Sequence, residues 1–314
     1  MNGHRHSRRR FLQTSATLAG AALCPLRLVA ADSPSGISSM PLGDGQFFSL
    51  SDGQLQLPVS MALPDSLSAQ QQQSIIGRNN IGDEFYTPDC NVVLWQTPEK
   101  IILFDTGAGS QFPVGGGELA SQLESIGIDP YDVTDVVFTH AHPDHLWGVL
   151  DDFDDLAFPE AQFHMSQREW DYWLNPNTLS RTPENRQSFV VGAQNRLPLL
   201  ADQIALFKGG DEILPGIEVV DSFGHTPGHS SFMIHDDNRS LFVVGDAIAN
   251  AVVSFEYPSL LSGSDQDQSM GASTRLALLD RLAHDKSLIV GYHLPAPGVG
   301  YVERSDNAFQ FVPV

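Results

Sequence analysis

A single α/β domain is the fold class this sequence predicts, on three observations. Apolar runs of strand length alternate with segments whose apolar residues recur at helical spacing. No break in composition divides the chain between about residue 38 and residue 314. Four of the apolar runs end in a residue that can bind a metal ion. Val136–Phe138 leads to His140, IEVVDSFG to His225, LFVVG to Asp246 and LIVGY to His293. A fifth run, IILF, ends in Asp105. Strand ends held in a sheet are rigid platforms for a site.

The elements follow in order. Residues 32–45, rich in Ser, Gly and Pro, read as a linker. QFFSLSDGQLQLPV (46–59) places two apolar runs around Asp-Gly and predicts a hairpin. The Gln-rich stretch near 62–84, with Gln70 to Gln73, reads as a mobile loop. NVVLWQTPEKIILFDTG (91–107) predicts a second hairpin turning at Thr-Pro-Glu-Lys. GELASQLESIGI (117–128) predicts a helix that stops at glycine. VTDVVFTH returns to strand, and SQREWDYWL (166–174) reads as helix. Strands are predicted over 217–225, 239–246 and 287–293. Residues 256–270 read as a second mobile loop, and 273–286, apolar at 276, 279, 282 and 283, as an amphipathic helix.

Charge excludes some partners. The formal net charge is −21. Arg5, Arg8, Arg9, Arg10 and Arg27 all precede Asp32, and without them 12 basic against 38 acidic residues leave −26. Nucleic acid and anionic lipid both need basic patches, so neither is expected; a solvated acidic surface is. The stretch SRRRFLQTSATLAGAAL resembles a twin-arginine export signal, with small residues at VAAD (29–32) for cleavage after Ala31. Its apolar part is too short to span a membrane comfortably. The expectation is a signal over 1–31, a single domain over 32–314, a periplasmic location and no membrane integration of the mature form. Only Cys90 then remains, so no internal disulfide is expected.

The chemistry concentrates in VVFTHAHPDHLWG (136–148). His140 and His142 alternate along extended backbone, so both rings can reach one point. Pro143 stiffens the turn that presents Asp144 and His145. Imidazole and carboxylate without thiolate suit zinc, with manganese, iron or cobalt as alternatives. Four donors in six residues are too many for one open tetrahedral site, so two divalent metal ions are expected. His225, Asp246 and His293 are the further donors. His164, His235 and His284 read as ordinary core or surface residues, and His229 as a buried structural partner.

THAHPDH, GHTPGHS, VVGDA, GYHLP and FDTG together resemble the metallo-β-lactamase fold hydrolases, and the resemblance covers nearly all of the mature chain. It implies an αββα sandwich: two sheets face to face, helices outside, the metals at one edge. It implies that His140, His142 and His225 hold the first metal, that Asp144, His145 and His293 hold the second, and that Asp246 bridges them. Asp105 would orient ligands. A hydroxide shared by the two metals would be the nucleophile, with Asp144 and Asp246 as the catalytic carboxylates.

LSDGQLQLPV, LAFPEA and HLPAPGVG…FQFVPV resemble the methyl parathion hydrolase group, periplasmic organophosphate-degrading enzymes. That likeness implies a homodimer and an aromatic pocket, with Phe112, Trp173 and Phe189 at its aromatic positions. Acyl-homoserine lactonases of the fold carry a tyrosine three residues after the bridging aspartate, where this chain has Ala249. Without that donor, aryloxide leaving groups depart more easily than alkoxides. The expected function is therefore hydrolysis of small phosphotriester or aryl ester substrates. A lactonase of the same fold and a non-catalytic metal-binding member are the alternatives.

Overall fold

The computed structural model describes residues 36–63, 66–79, 81, 85–236 and 239–314. The export signal therefore lies outside the described residues. Among them, no helix is long and apolar enough to cross a membrane.

The first sheet is built from β1 (Ile37–Leu42), β2 (Gly45–Gln54), β5 (Asp89–Gln96), β6 (Ile101–Phe104), β7 (Asp135–Val137), β8 (Gln162–Ser166) and β9 (Ile204–Phe207), in that spatial order. Two short strands, β3 (Leu57–Pro58) and β4 (Phe85–Tyr86), pair with each other beside it. The second sheet runs β10 (Glu212–Leu214), β11 (Ile217–Asp221), β12 (Ser230–Asp236), β13 (Arg239–Gly245), β14 (Leu288–Gly291), β15 (Val299–Ser305) and β16 (Ala308–Pro313). The pairing β6–β7–β8–β9 is parallel, and so is β13–β14. Parallel strands need covered faces, and the burial agrees: every residue of β7 and β14 is buried.

Three apolar layers hold this arrangement. Phe47, Phe104 and Val137 of the first sheet meet Phe232, Val243 and Val290 of the second, which makes the inter-sheet core. The outer face of the first sheet packs on helices that include Leu119–Ser125 and Gln187–Arg196. The outer face of the second packs on Gln268–Asp285 through Leu278, Leu279 and Leu282. Two sheets face to face with helices outside is the αββα sandwich the sequence motifs imply.

Three local expectations are corrected. The linker reading of 32–45 fails because β1 begins at Ile37, with Ile37, Met40 and Leu42 buried. The hairpin at 46–59 fails as well. β2 runs straight through Asp52-Gly53 with only a register shift between Ser51 and Gln54. The Asp52 carboxylate is buried and accepts hydrogen bonds from the backbone N–H groups of Ala108, Gly117 and Leu119, at 2.8, 3.0 and 2.8 Å. An aspartate with three such partners serves a neighbouring loop, not its own turn. Finally, the Gln-rich stretch contains the helix Ala69–Asn79. Glutamine is a good helix former, and Ile75 packs beneath it on Leu63, Leu67 and Val253. The second proposed loop, 256–270, is bounded by the helices Val253–Glu256 and Gln268–Asp285, and the latter starts five residues before the position its periodicity suggests. The 91–107 hairpin forms as read, with Gln96 opposite Ile101.

Candidate metal centre

The strand ends named above meet at one edge of the sandwich. β7 delivers His140 and His142, and the short helix Pro143–Leu146 adds Asp144 and His145. His225 follows β11, Asp246 follows β13 and His293 follows β14. All seven side chains are buried.

Their inward atoms converge. His142 Nδ1 lies 3.0 Å from His140 Nε2 and 2.9 Å from His225 Nε2. Asp144 Oδ2 lies 3.4 Å from His145 Nε2 and 3.1 Å from His293 Nε2. Asp246 reaches both groups: Oδ2 is 3.2 Å from His225 Nε2 and 3.3 Å from His293 Nε2, and Oδ1 is 3.3 Å from His145 Nε2. Two of these atoms, His145 Nε2 and Asp246 Oδ1, are buried yet form no hydrogen bond. Orphaned buried polar atoms facing one point are costly unless something else satisfies them, and a cation would.

The outward ring atoms are held by named partners. His140 Nδ1 meets the Thr139 hydroxyl at 3.0 Å, and His145 Nδ1 meets Asp105 Oδ2 at 2.8 Å. His293 Nδ1 meets the Asp89 carbonyl at 2.9 Å, and His225 Nδ1 meets Asp265 Oδ1 at 3.3 Å. Such partners fix the tautomer and aim the other nitrogen. Burial pushes His140 and His142 well below the usual imidazole range, helped by neighbouring histidines, so both rings are neutral, the form that can hold a metal ion. For His145 and His293 burial acts the same way, but the surrounding aspartates outweigh it, Asp246 foremost, and raise them.

Positive-φ backbone marks two of the strand ends. Asp105 sits at φ 65, uncommon for a residue with a side chain. Its carboxylate also accepts from the Thr139 N–H and hydroxyl, both at 2.8 Å. Gly245, just before Asp246, has φ +56, and a Cβ there would lie 2.6 Å from His229 Nε2. That same His229 nitrogen accepts the Asp246 N–H at 2.9 Å, while its Nδ1 meets the Ser222 hydroxyl at 2.8 Å. With both ring nitrogens so engaged, His229 holds the backbone of Asp246 and offers no nitrogen to the convergent atoms. His164 is buried against Asp135, away from the centre, at 3.0 Å.

The centre forms the floor of an open cavity enclosing about 920 Å³, its mouth included. His142, Asp144, His225, Asp246 and His293 line it, as do Phe112, Phe189 and Ala249. Trp173 does not, which corrects its placement in the pocket. It is only 1% exposed and sits behind His142, ring centres 5.9 Å apart, with its indole N–H bonded to Glu169. Both stretches read as loops border the cavity, through Ala62 on one side and Leu260, Ser262 and Ser264 on the other.

Sequence reasoning missed several residues here. Asp265, behind His225, lies in a segment read as a bare loop, and Arg275 holds it at 3.3 Å. Tyr86 and Asn250 line the cavity beside Asp246 and Ala249. Cys90 is read in the sequence only as a lone cysteine without a disulfide partner. It is fully buried, burial pushes its thiol up to about 11, and its sulfur lies within 4.8 Å of donor atoms of Asp144 and His293. None of these has a motif, so only the fold brings them in.

Comparison with known proteins points the same way. Residues 86–289 match the metallo-beta-lactamase superfamily, a stretch holding six of the seven convergent side chains, with His293 four residues beyond. A probable metallo-hydrolase of Mycobacterium tuberculosis is 28% identical over 185 residues, covering 50% of this chain and 56% of that protein. The chain thus spans about half the length of the curated relatives it matches first. A solved hydrolase of the beta lactamase superfamily, AbOPH, superposes with TM-score 0.82 at 28% identity, covering 90% of this chain and 98% of that one. AidC, a dizinc quorum-quenching lactonase solved with a product N-hexanoyl-type homoserine, also gives 0.82, at 29% identity, covering 89% and 97%. With fold, motif spacing and a family match over more than half its length in agreement, this chain belongs to the metallo-beta-lactamase superfamily.

Proposed function

We propose that the chain is a metal-dependent hydrolase of small, largely apolar ester substrates. The observation that carries this reading is the convergence of seven buried imidazole and carboxylate donors on the floor of an open cavity. His140, His142 and His225 would hold one divalent ion, Asp144, His145 and His293 a second, and Asp246 both. Zinc suits this donor set, and manganese, iron or cobalt are alternatives. When bound, two such ions lower the pKa of water and polarise a C=O or P=O oxygen.

The protein's own part is placement. Asp246 ties the two donor groups together, and His229 and Gly245 set where Asp246 stands. Leu55, Leu57, Met61, Phe112 and Phe189 give the cavity apolar walls that suit an acyl or aryl group. Cys90, buried and held as the thiol, does not serve as a nucleophile.

Two substrate readings have specific support. Ala249 beside Asp246 offers no proton to a leaving oxygen, which favours aryl phosphotriesters and aryl esters. A lactone reading is favoured by Tyr86. Burial pushes its phenol up to about 12, so it stays a donor at neutral pH, and Asn250 stands beside it. The 29% identity to a product-bound lactonase supports the same reading.

The test is purified protein with its metals quantified, assayed on aryl phosphotriesters, aryl esters and lactones. Activity is expected, and it should fall by more than about 100-fold in Asp246→Ala. A metal-loaded protein inactive on all three classes would overturn the hydrolase reading. An Asp246→Ala protein with full activity would overturn the two-ion arrangement. We further propose periplasmic export, for which Arg8→Lys with Arg9→Lys should trap the protein in the cytoplasm.

A further inference from the structure

We propose that Glu169 is a positioning residue for the first-metal half of the site and the counter-charge to the ion held there; the inference rests on the metal-dependent reading above. Glu169 lies in the helix Gln167–Leu174, outside every sequence motif of the centre, and is 0% exposed. Buried glutamates are rare unless paired, yet the groups bonded to this one are all neutral donors. Oε1 accepts from the Ala141 N–H at 3.1 Å and the Trp173 indole N–H at 2.6 Å. Oε2 accepts from the Thr226 hydroxyl and the Gly228 N–H, both at 2.8 Å. Four donors and no acceptor suit a carboxylate, which can accept at both oxygens.

Those four donors sit at particular places. Ala141 lies between His140 and His142. Thr226 follows His225, and Gly228 precedes His229, which holds the Asp246 N–H. Trp173 stands behind His142. One carboxylate therefore fixes a segment leaving the first sheet against a segment leaving the second. The 2.9 Å approach of His142 Nδ1 to His225 Nε2 depends on that placement. The helix start is seated very closely on the second segment: a Cβ on Gly228 would lie 2.2 Å from the Glu169 nitrogen.

Charge adds to geometry. His140, His142 and His225 are neutral as ligands, and Asp246 is shared between both halves. A dication on that trio would be left short of negative charge, and in a buried region a carboxylate bonded to Ala141 and Thr226, the residues adjoining all three ligands, counts for much. Asp144 supplies the second half directly.

The test is Glu169→Gln, nearly equal in size but uncharged and an acceptor at one atom only. Apo protein is titrated with cobalt(II), following ligand-field absorption and bound metal by elemental analysis, against chelators of graded strength. Affinity for the first cobalt should fall by about 10- to 100-fold, while the second changes by less than about threefold. Thr226→Val, which deletes one of the four bonds, should move the first affinity in the same direction by less, and it decides the matter if Glu169→Gln does not fold. Unchanged affinities in the folded variant, or equal losses at both positions, would overturn the assignment. Failure of the wild-type chain to bind two cobalt ions would instead overturn the metal-dependent reading, and this inference with it.

Discussion

Asp105 shows how much of the centre is decided one side chain at a time. Its carboxylate receives three donors, the Thr139 N–H, the Thr139 hydroxyl and His145 Nδ1, each at 2.8 Å. An asparagine offers one accepting oxygen and turns an NH₂ toward the remaining donors. Asp105→Asn should therefore let the His145 ring swing and weaken the second metal by about 10- to 100-fold, read from metal retained after dialysis against graded chelator. Retention identical to wild type at every chelator strength would sink this account. The seven convergent donors were legible in the sequence because their chemistry is dense and their spacing specific. The residues behind them were not, since a carbonyl such as that of Asp89, or an aspartate such as Asp265, acquires its role only when a distant loop arrives. Trp173 erred in the opposite sense: an aromatic beside the motif read as pocket, yet its N–H is bound inward to Glu169.

At the scale of elements, two buried aspartates carry the joints. Asp52 of β2 caps three backbone N–H groups in the segment 108–119, so Asp52→Ala would strand the buried donors of Ala108 and Leu119 and release that of the exposed Gly117. The expected loss is about 3 kcal/mol or more, measured by urea unfolding; a loss below about 1 kcal/mol would mean the loop re-pairs without it. Asp135 of β7 gives a pH-dependent case. Burial disfavours its charge, but bonds from His164, Lys100 and Thr134 outweigh that and draw it down to about 2. A carboxyl depressed in the folded state stabilises above its unfolded pKa of about 3.9 and loses that contribution as pH falls through the folded value. Wild type should thus exceed Asp135→Asn in stability by on the order of 2 kcal/mol at pH 7. The gap should close between about pH 4 and pH 2; a gap that stays constant over that range would exclude the linkage. Elements with strong periodicity, such as the 91–107 hairpin and the 273–286 helix, were readable in the chain. The Asp-Gly at 52–53 misled because a turn residue pair and a bulge beside a capping aspartate look alike in sequence.

For the whole molecule, stability and metal content should move together. Ions that bind only the folded chain stabilise it by mass action, about 2.7 kcal/mol at a hundredfold excess over Kd. For a domain of this size that is worth roughly 5 °C or more in Tm. Chelation should lower Tm by at least that amount and added zinc should restore it, followed by calorimetry; a melting curve indifferent to chelator would argue against bound metals. The donors also divide between sheets. His140, His142, Asp144 and His145 follow β7 in the first, while His225, Asp246 and His293 follow strands of the second. Neither half of the chain owns a finished set. A ribosome that has released only the first sheet has made a histidine cluster with nothing opposite it, and high-affinity loading would have to wait until the second sheet is synthesised and docked. Uptake of the pair would then act as an assembly checkpoint, reporting that the last ligand-bearing strand has found its place.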